Sequence, residues 1–314
     1  MPASHRRQAL RSKLFLGLAN VVLLYMLYRW VANNIDLDRL QQSLWRIPAS
    51  ALLLSVAVNL SALGLYGLRM QMLLRRGFIE SFAVINIGYV LNTLIPLRLG
   101  EIMKIWLSHR LFRLPVTEVV AASVAEKLFD LFKLLLLGGI LVALAAGRFV
   151  PGGLLPSLVL FLSVAAAGIF LLRYKVVAII RLIPKKSRLR RIAISLHRHA
   201  DEYPLVRVFV ISLAIWTMNV LLMYVTFNSF ILGIRVELTD AIALLLIISL
   251  AIAVPSAPAS IGLFEAGLVA YLTQVLHADT EAALAAAVML HLVITIPQMF
   301  LTGLLLLVSR RSHV

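Results

Sequence analysis

Pro96-Leu-Arg-Leu-Gly-Glu101, followed by Ile-Met-Lys104, sets a proline, a glycine and three charged side chains inside a run otherwise apolar enough to lie in a bilayer. A cousin stands far downstream, Pro255-Ser-Ala-Pro-Ala-Ser-Ile-Gly-Leu-Phe-Glu265, again proline, then glycine, then glutamate. Backbone that leaves the helix at membrane depth survives only where protein buries it or where it lines a water-filled cavity. Two such breaks in matching positions of two halves point to a binding site between them.

The rest of the chain supports a membrane setting. Of 314 residues, 61% are hydrophobic and 14% charged, with a mean hydropathy of +0.97. A soluble domain is about half apolar and a quarter charged, and no polar linker divides the chain. The apolar stretches long enough to span are 14–31, 50–68, 117–147, 153–172, 204–230 and 282–308, judged against roughly 20 residues per crossing. The first follows His5, Arg6, Arg7, Arg11 and Lys13 as a signal peptide would. Its apolar run is too long for one and no cleavage site follows, so a retained span is expected. The chain has no cysteine, which excludes disulfides and thiolate metal sites.

A net charge of +16 raises the question of nucleic acid, and the distribution of the charge answers it. With 81–113 and 240–276 as re-entrant hairpins and a cytoplasmic N-terminus, most of the 30 Lys and Arg fall on one face. Arg69, Arg75 and Arg76 are counted there, as is the basic stretch 173–203. Arg29, Arg39, Arg46, Arg148 and Arg235 fall on the other face, while Lys127 and Lys133 fall within a span. This is the positive-inside rule, so the charge reports topology and no nucleic-acid partner is expected. The expected fold is an all-α integral membrane protein of six transmembrane helices and two re-entrant hairpins, with both termini cytoplasmic. Residues 1–150 and 151–314 each read span, span, hairpin, span in opposite orientation, an inverted repeat. The basic run 173–203 either obeys the topology rule alone or also attracts anionic headgroups.

Candidate site residues follow from the breaks. A helix starting near Gly100 would aim free N–H groups and its positive dipole end at the membrane interior, a setting for phosphate. Arg98 would add a forked contact; alternatively Arg98 and Glu101 pair and only hold the hairpin shut. Around the second break, Ser256 flanks the turn, Ser260 is a possible N-cap, and Glu265 follows Gly262 much as Glu101 follows Gly100. Glu101 and Glu265 facing one cavity would suit proton coupling or an ammonium headgroup; a kinked helix with a hydrogen-bonded Glu265 is the alternative. Glu126, Asp130 and Lys133 share one helical face, with Lys127 adjacent and Lys104 one turn beyond Glu101. Charges at membrane depth cost about 2.5–3.5 kcal/mol each on insertion scales, so all of these need partners or a polar cavity. His291 reads as a satisfied interior histidine, and Asn92, Thr217 and Asn219 as interhelical hydrogen-bonders. The His197–His199 pair with Asp201 is too weak for a metal site. No P-loop, zinc-protease helix or nucleophile elbow occurs, and no cofactor is expected.

Pro96 to Glu101, Glu126-Lys-Leu-Phe-Asp-Leu131 and Pro255 to Glu265 resemble the recurring motifs of the lysylphosphatidylglycerol synthase/flippase transmembrane family. That family includes the flippase domain of the bacterial multiple peptide resistance factor and stand-alone proteins of about this length. The resemblance implies movement of a phospholipid or lipid-linked amphiphile between leaflets of the cytoplasmic (inner) membrane, with Arg98, Glu101, Glu126, Asp130 and Glu265 lining the path. It does not imply lipid aminoacylation, since the soluble transferase domain of fused members is missing. One departure is Ala259, where glycine commonly follows the second proline. A membrane-embedded transferase and a scaffold for a lipid or glycan synthase are the alternatives. A homodimer or a synthase partner would fit any of these readings.

Overall fold

The computed structural model describes residues 35–94, 100–147, 205–253 and 258–311, together with Tyr25, Arg29, Ala32, Asn33 and Ile194. These residues are all-helical, with no strand among them. Arg98 and Ser256 lie outside them, as do the spans expected at 14–31 and 153–172 and the basic stretch 173–203.

Helix α1 (Leu37–Trp45) is short and starts on Asp36, whose carboxylate accepts from the Asp38 and Arg39 N–H groups at 3.0 and 3.2 Å. The Asp36 N–H itself donates to Glu281 Oε1 at 3.2 Å, which ties this end to the last helix. Helix α2 (Ala49–Leu74) follows Pro48 and stops at Arg75, a left-handed residue (φ 54°) whose N–H returns to the Gln71 carbonyl. Helices α3 (Phe78–Leu94) and α4 (Gly100–Phe112) flank the first break, and α5 (Val116–Gly147) follows Pro115. After 148–204 come α6 (Leu205–Ser229) and α7 (Leu238–Ala253). The turn Pro258–Ser260 leads to α8 (Leu263–Gln274), and α9 (Thr280–Arg311) is last.

Three helices are long and apolar enough to cross a membrane, over Ala49–Leu74, Val206–Ser229 and Thr280–Leu305. The sequence bounds for the last two agree within a few residues. The 50–68 span extends to Leu74, because the arginine that appears to end it is buried. Helix α5 has the length, but its first half carries Glu118, Glu126, Lys127, Asp130 and Lys133.

Helices α3 and α4 pair antiparallel: Asn92 meets Gly100, and Gly88 meets Lys104. Both glycines are required by that approach. A Cβ on Gly100 would overlap the Asn92 amide, and one on Gly88 would sit 2.5 Å from Lys104 Cδ. Helices α7 and α8 also run antiparallel, with Ile247 against Gly267 and Asp240 against Tyr271. None of these four helices exceeds 17 residues, or about 26 Å.

Two apolar cores hold the bundle. One joins α6, α7, α8 and α9 through Phe227, Leu244, Leu268 and Leu290; Ala283, Ala285, Ala286 and Ala287 of α9 are fully buried, and such small side chains let backbones approach closely. The other gathers Met70, Leu73, Val84, Ile85, Val119 and Ala122 from α2, α3 and α5. Helix α3 contacts both α9 and the turn Pro258–Ser260, so the second break lies beside the first helix pair.

Candidate functional site

Four helices bring their ionisable groups to one place. Lys104 Nζ, on α4, lies 2.8 Å from Glu101 Oε2 and 3.3 Å from Glu126 Oε2. The space its stem needs is the one that Gly88 leaves open. Lys127 Nζ reaches Glu101 Oε1 at 3.0 Å. Arg69, from α2, is 3.1 Å from Asp130 Oδ1 and 3.7 Å from Glu126 Oε1. Helix α3 contributes the Tyr89 hydroxyl, which donates to Glu126 at 3.4 Å, and a long contact from Asn92 Nδ2 to Glu101 at 3.5 Å.

Burial grades across this network. Arg69 and Lys104 are 1% exposed and Glu126 is fully buried, whereas Glu101 and Asp130 are partly open and Lys127 is half exposed. Lys133, one turn beyond Asp130, is buried, and among the described residues it has no ion pair. Four cations therefore face three carboxylates. Charges this deep are tolerable only when paired, and removing one partner of a buried pair costs about 3–5 kcal/mol.

Arg69 also stacks over the Tyr66 ring, 5.1 Å from its centroid. The Tyr66 hydroxyl accepts from Asn219 Nδ2 at 3.0 Å, linking the network to α6 as expected for an interhelical asparagine. Thr217 departs from expectation: its hydroxyl bonds back to the Leu213 carbonyl of its own helix at 3.0 Å.

The second break is built differently. Ala259 (φ 56°), Ser260 (φ 58°) and Gly262 (φ 93°) are all left-handed. Ser260 is not the N-cap; that position is Gly262, because the chain enters the helix only after the left-handed turn. Glu265 Oε2 accepts from the Gly262 N–H at 2.7 Å, half of a capping box, as glycine has no side chain to return the bond. Its other oxygen, Oε1, pairs with His291 Nδ1 of α9 at 2.5 Å, and the Phe264 ring packs on the imidazole with centroids 4.3 Å apart.

Of the residues expected from sequence, Gly100, Glu101, Lys104, Glu126 and Asp130 converge, with Lys127 joining them and Lys133 one turn away. Glu265 is held by a separate partner, His291, so Glu101 and Glu265 belong to two different clusters. Sequence reading missed Arg69, Tyr66 and Tyr89 and assigned Arg69 to the cytoplasmic charge. The available signal was register: Asn59, Tyr66, Arg69 and Leu73 recur at helical spacing, and all but Tyr66 are buried.

An all-helical membrane protein with a buried, mixed-charge cluster beside a broken helix pair is the class this geometry defines. The chain belongs to the family described as the lysylphosphatidylglycerol synthase TM region, whose model matches residues 14–302. Comparison with curated proteins gives no match.

Proposed function

We propose that the chain is a lipid translocase, moving a phospholipid or other lipid-linked amphiphile between leaflets of the cytoplasmic membrane, and not an enzyme. The observation that carries this reading is the buried network of Arg69, Glu101, Lys104, Glu126, Lys127 and Asp130 beside a broken helix pair. Each of its three acids is matched by a protein cation, and Lys133, buried one turn beyond Asp130, makes the surplus charge positive. That balance favours a phosphate over an ammonium as the group drawn in. It also argues against a free acid–base pair of the kind a transferase needs.

The short paired helices support the two re-entrant hairpins: at about 18–26 Å each, they fall short of the roughly 30 Å hydrocarbon core. On this reading the chain crosses six times, keeps both termini in the cytoplasm, and repeats its first half (1–150) inverted in its second (151–314). Alternating access is then rocking of one half against the other around a midplane site. Arg98, Gly100 and Ser256 complete the path at the breaks, Ser260 and Glu265 border it, and residues 173–203 rest on anionic headgroups. The driving force is a gradient or a partner, for instance a synthase or a second copy of the chain.

Reconstitution into liposomes with fluorescent phospholipids, read by quenching of the outer leaflet, tests the proposal. Arg98→Ala and Glu265→Ala should each slow flipping at least tenfold with the fold intact. Unchanged rates would remove both residues from the path, and a covalently altered lipid would favour the transferase instead.

A further inference from the structure

Away from the charge network, α5, α6 and α7 border an open cavity of about 1280 Å³. Its walls are apolar, with Leu136, Leu137 and Ile140 from α5, Trp216 and Val220 from α6, and Ile242 from α7. At one end the loop joining α6 to α7 forms a polar rim that includes Arg235 and Glu237. Arg235 is among the few basic residues that the topology rule leaves on the wrong face. It is exposed, and among the described residues no acid pairs with it. The nearby Asp240 is already taken up by the Tyr271 hydroxyl and the Glu237 N–H, both at 2.8 Å.

The loop that carries Arg235 is preorganised. Asn228 clamps it at both ends of one amide, accepting from the Val236 N–H at 3.1 Å and donating to the Val236 carbonyl at 2.9 Å. Ile231 and Gly233 turn it through left-handed conformations (φ 54° and 74°). At the other end of the cavity, Trp216 is 3% exposed, and its Nε1–H finds no acceptor among the described residues. An unpaired buried donor is costly, and here it borders a space lined by hydrocarbon.

We infer that this cavity is a docking site for one acidic phospholipid, its acyl chain between α5, α6 and α7 and its phosphate against Arg235. The walls match a chain, and the rim supplies one exposed cation, Arg235, at the end where a headgroup would emerge. The α5 stripe then links dock to network, since Ile140, Leu137, Lys133, Asp130 and Glu126 follow one another at alternating steps of three and four along one face. The inference deepens the translocase reading and rests on it only for what happens after docking.

The test measures binding separately from movement. Full-length protein in detergent is titrated with phosphatidylglycerol and with phosphatidylcholine of the same chains, and retention is read by native mass spectrometry. Phosphatidylglycerol should be preferred, and Arg235→Gln should lower its retention roughly five- to tenfold while leaving phosphatidylcholine unchanged. Arg235→Lys should restore most of the loss. Ile140→Trp, which sets a ring across the chain's path along α5, should lower retention of both lipids, with an unchanged melting temperature reporting an intact fold. Soluble glycerol phosphate should not compete; if it competes as well as the lipid, the cavity holds no chain and the inference fails. An unchanged lipid ratio in Arg235→Gln also overturns it, whatever the flipping rate. Normal retention with no flipping of any lipid would leave the dock standing and sink the translocase.

Discussion

Lys104→Met isolates the contribution of the ammonium at the centre of the network. Methionine fills much of the volume of the lysine stem, so the channel past Gly88 stays occupied and the change is mainly one of charge. In the native protein this Nζ bridges Glu101 at 2.8 Å and Glu126 at 3.3 Å. Without it, Glu101 keeps Lys127 at 3.0 Å. Glu126, fully buried, is left with Arg69 at 3.7 Å, the Tyr89 hydroxyl at 3.4 Å and a long contact to Lys127 at 3.9 Å. Breaking a buried pair from one side costs about 3–5 kcal/mol, and at about 2 °C per kcal/mol for a chain this large the melting temperature should fall by about 6–10 °C. Glu126→Gln alone should cost a comparable amount, because Lys104 and Arg69 then compete for Glu101 and Asp130. The double variant is the decisive sample. With both charges gone neither leaves its partner unmatched, so it should be more stable than Lys104→Met, which requires a coupling energy larger than the cost of Glu126→Gln alone, about 3–5 kcal/mol. Thermal unfolding in detergent, followed by intrinsic tryptophan fluorescence, gives all four corners of the cycle. Costs that simply add would refute the claim that the two groups act as one buried pair.

Gly88→Leu places carbon where Lys104 Cδ lies, 2.5 Å from the new Cβ, and should destabilise by about 1–3 kcal/mol; in a Lys104→Ala background the penalty should largely vanish, as the same melting assay would reveal. Ala259→Gly should leave the melting temperature unchanged or raise it by about 2 °C: relief of a left-handed residue is worth about 1 kcal/mol, partly offset by the freer unfolded chain, and a clear loss would contradict the turn described. His291→Phe leaves Glu265 Oε1 without its partner and should cost about 2 kcal/mol, whereas the Glu265→Leu/His291→Phe double should recover part of it; equal losses in single and double would mean that the stranded carboxylate is not the source of the cost.

Much of the fold is written in hydropathy. The spans over α2, α6 and α9 and the helix ends that flank both breaks can be located from apolar runs interrupted by Pro-Gly motifs, because lipid enforces that pattern residue by residue. The site is less legible, for reasons specific to each residue. Glu126 and Asp130 are found because two acids in one span demand an explanation. Arg69 is missed because, six residues before Arg75-Arg76, it looks like one more member of a cytoplasmic basic cluster. Only the helical register shows that it points the other way. The Glu265–His291 pair joins residues from two helices at no fixed spacing, so nothing local announces it. Ala259 carries the opposite lesson: the one departure noted in the resemblance falls on a residue that is left-handed in the structure (φ 56°), a conformation that costs a non-glycine residue about 1 kcal/mol.

The two short helix pairs are alike in running antiparallel and unlike in charge, and that difference bears on how a rocking mechanism would divide its labour. The ions cluster on α2, α4 and α5, joined by Tyr89 of α3, and among the described residues they reach α6 through the Tyr66–Asn219 hydrogen bond. Helices α6 to α9 close instead on an apolar core, with one Glu–His pair fixing α8 to α9. Apolar packing is non-directional and tolerates small sliding, whereas paired ions at about 3 Å tolerate little. A headgroup drawn to the network would therefore be held by the first half. Its chain would lie in the cavity that α5 shares with α6 and α7, where the halves meet. Moving one half against the other would then carry the headgroup with the charged side while the chain slid along an apolar wall, so no buried ion pair need be broken during the passage.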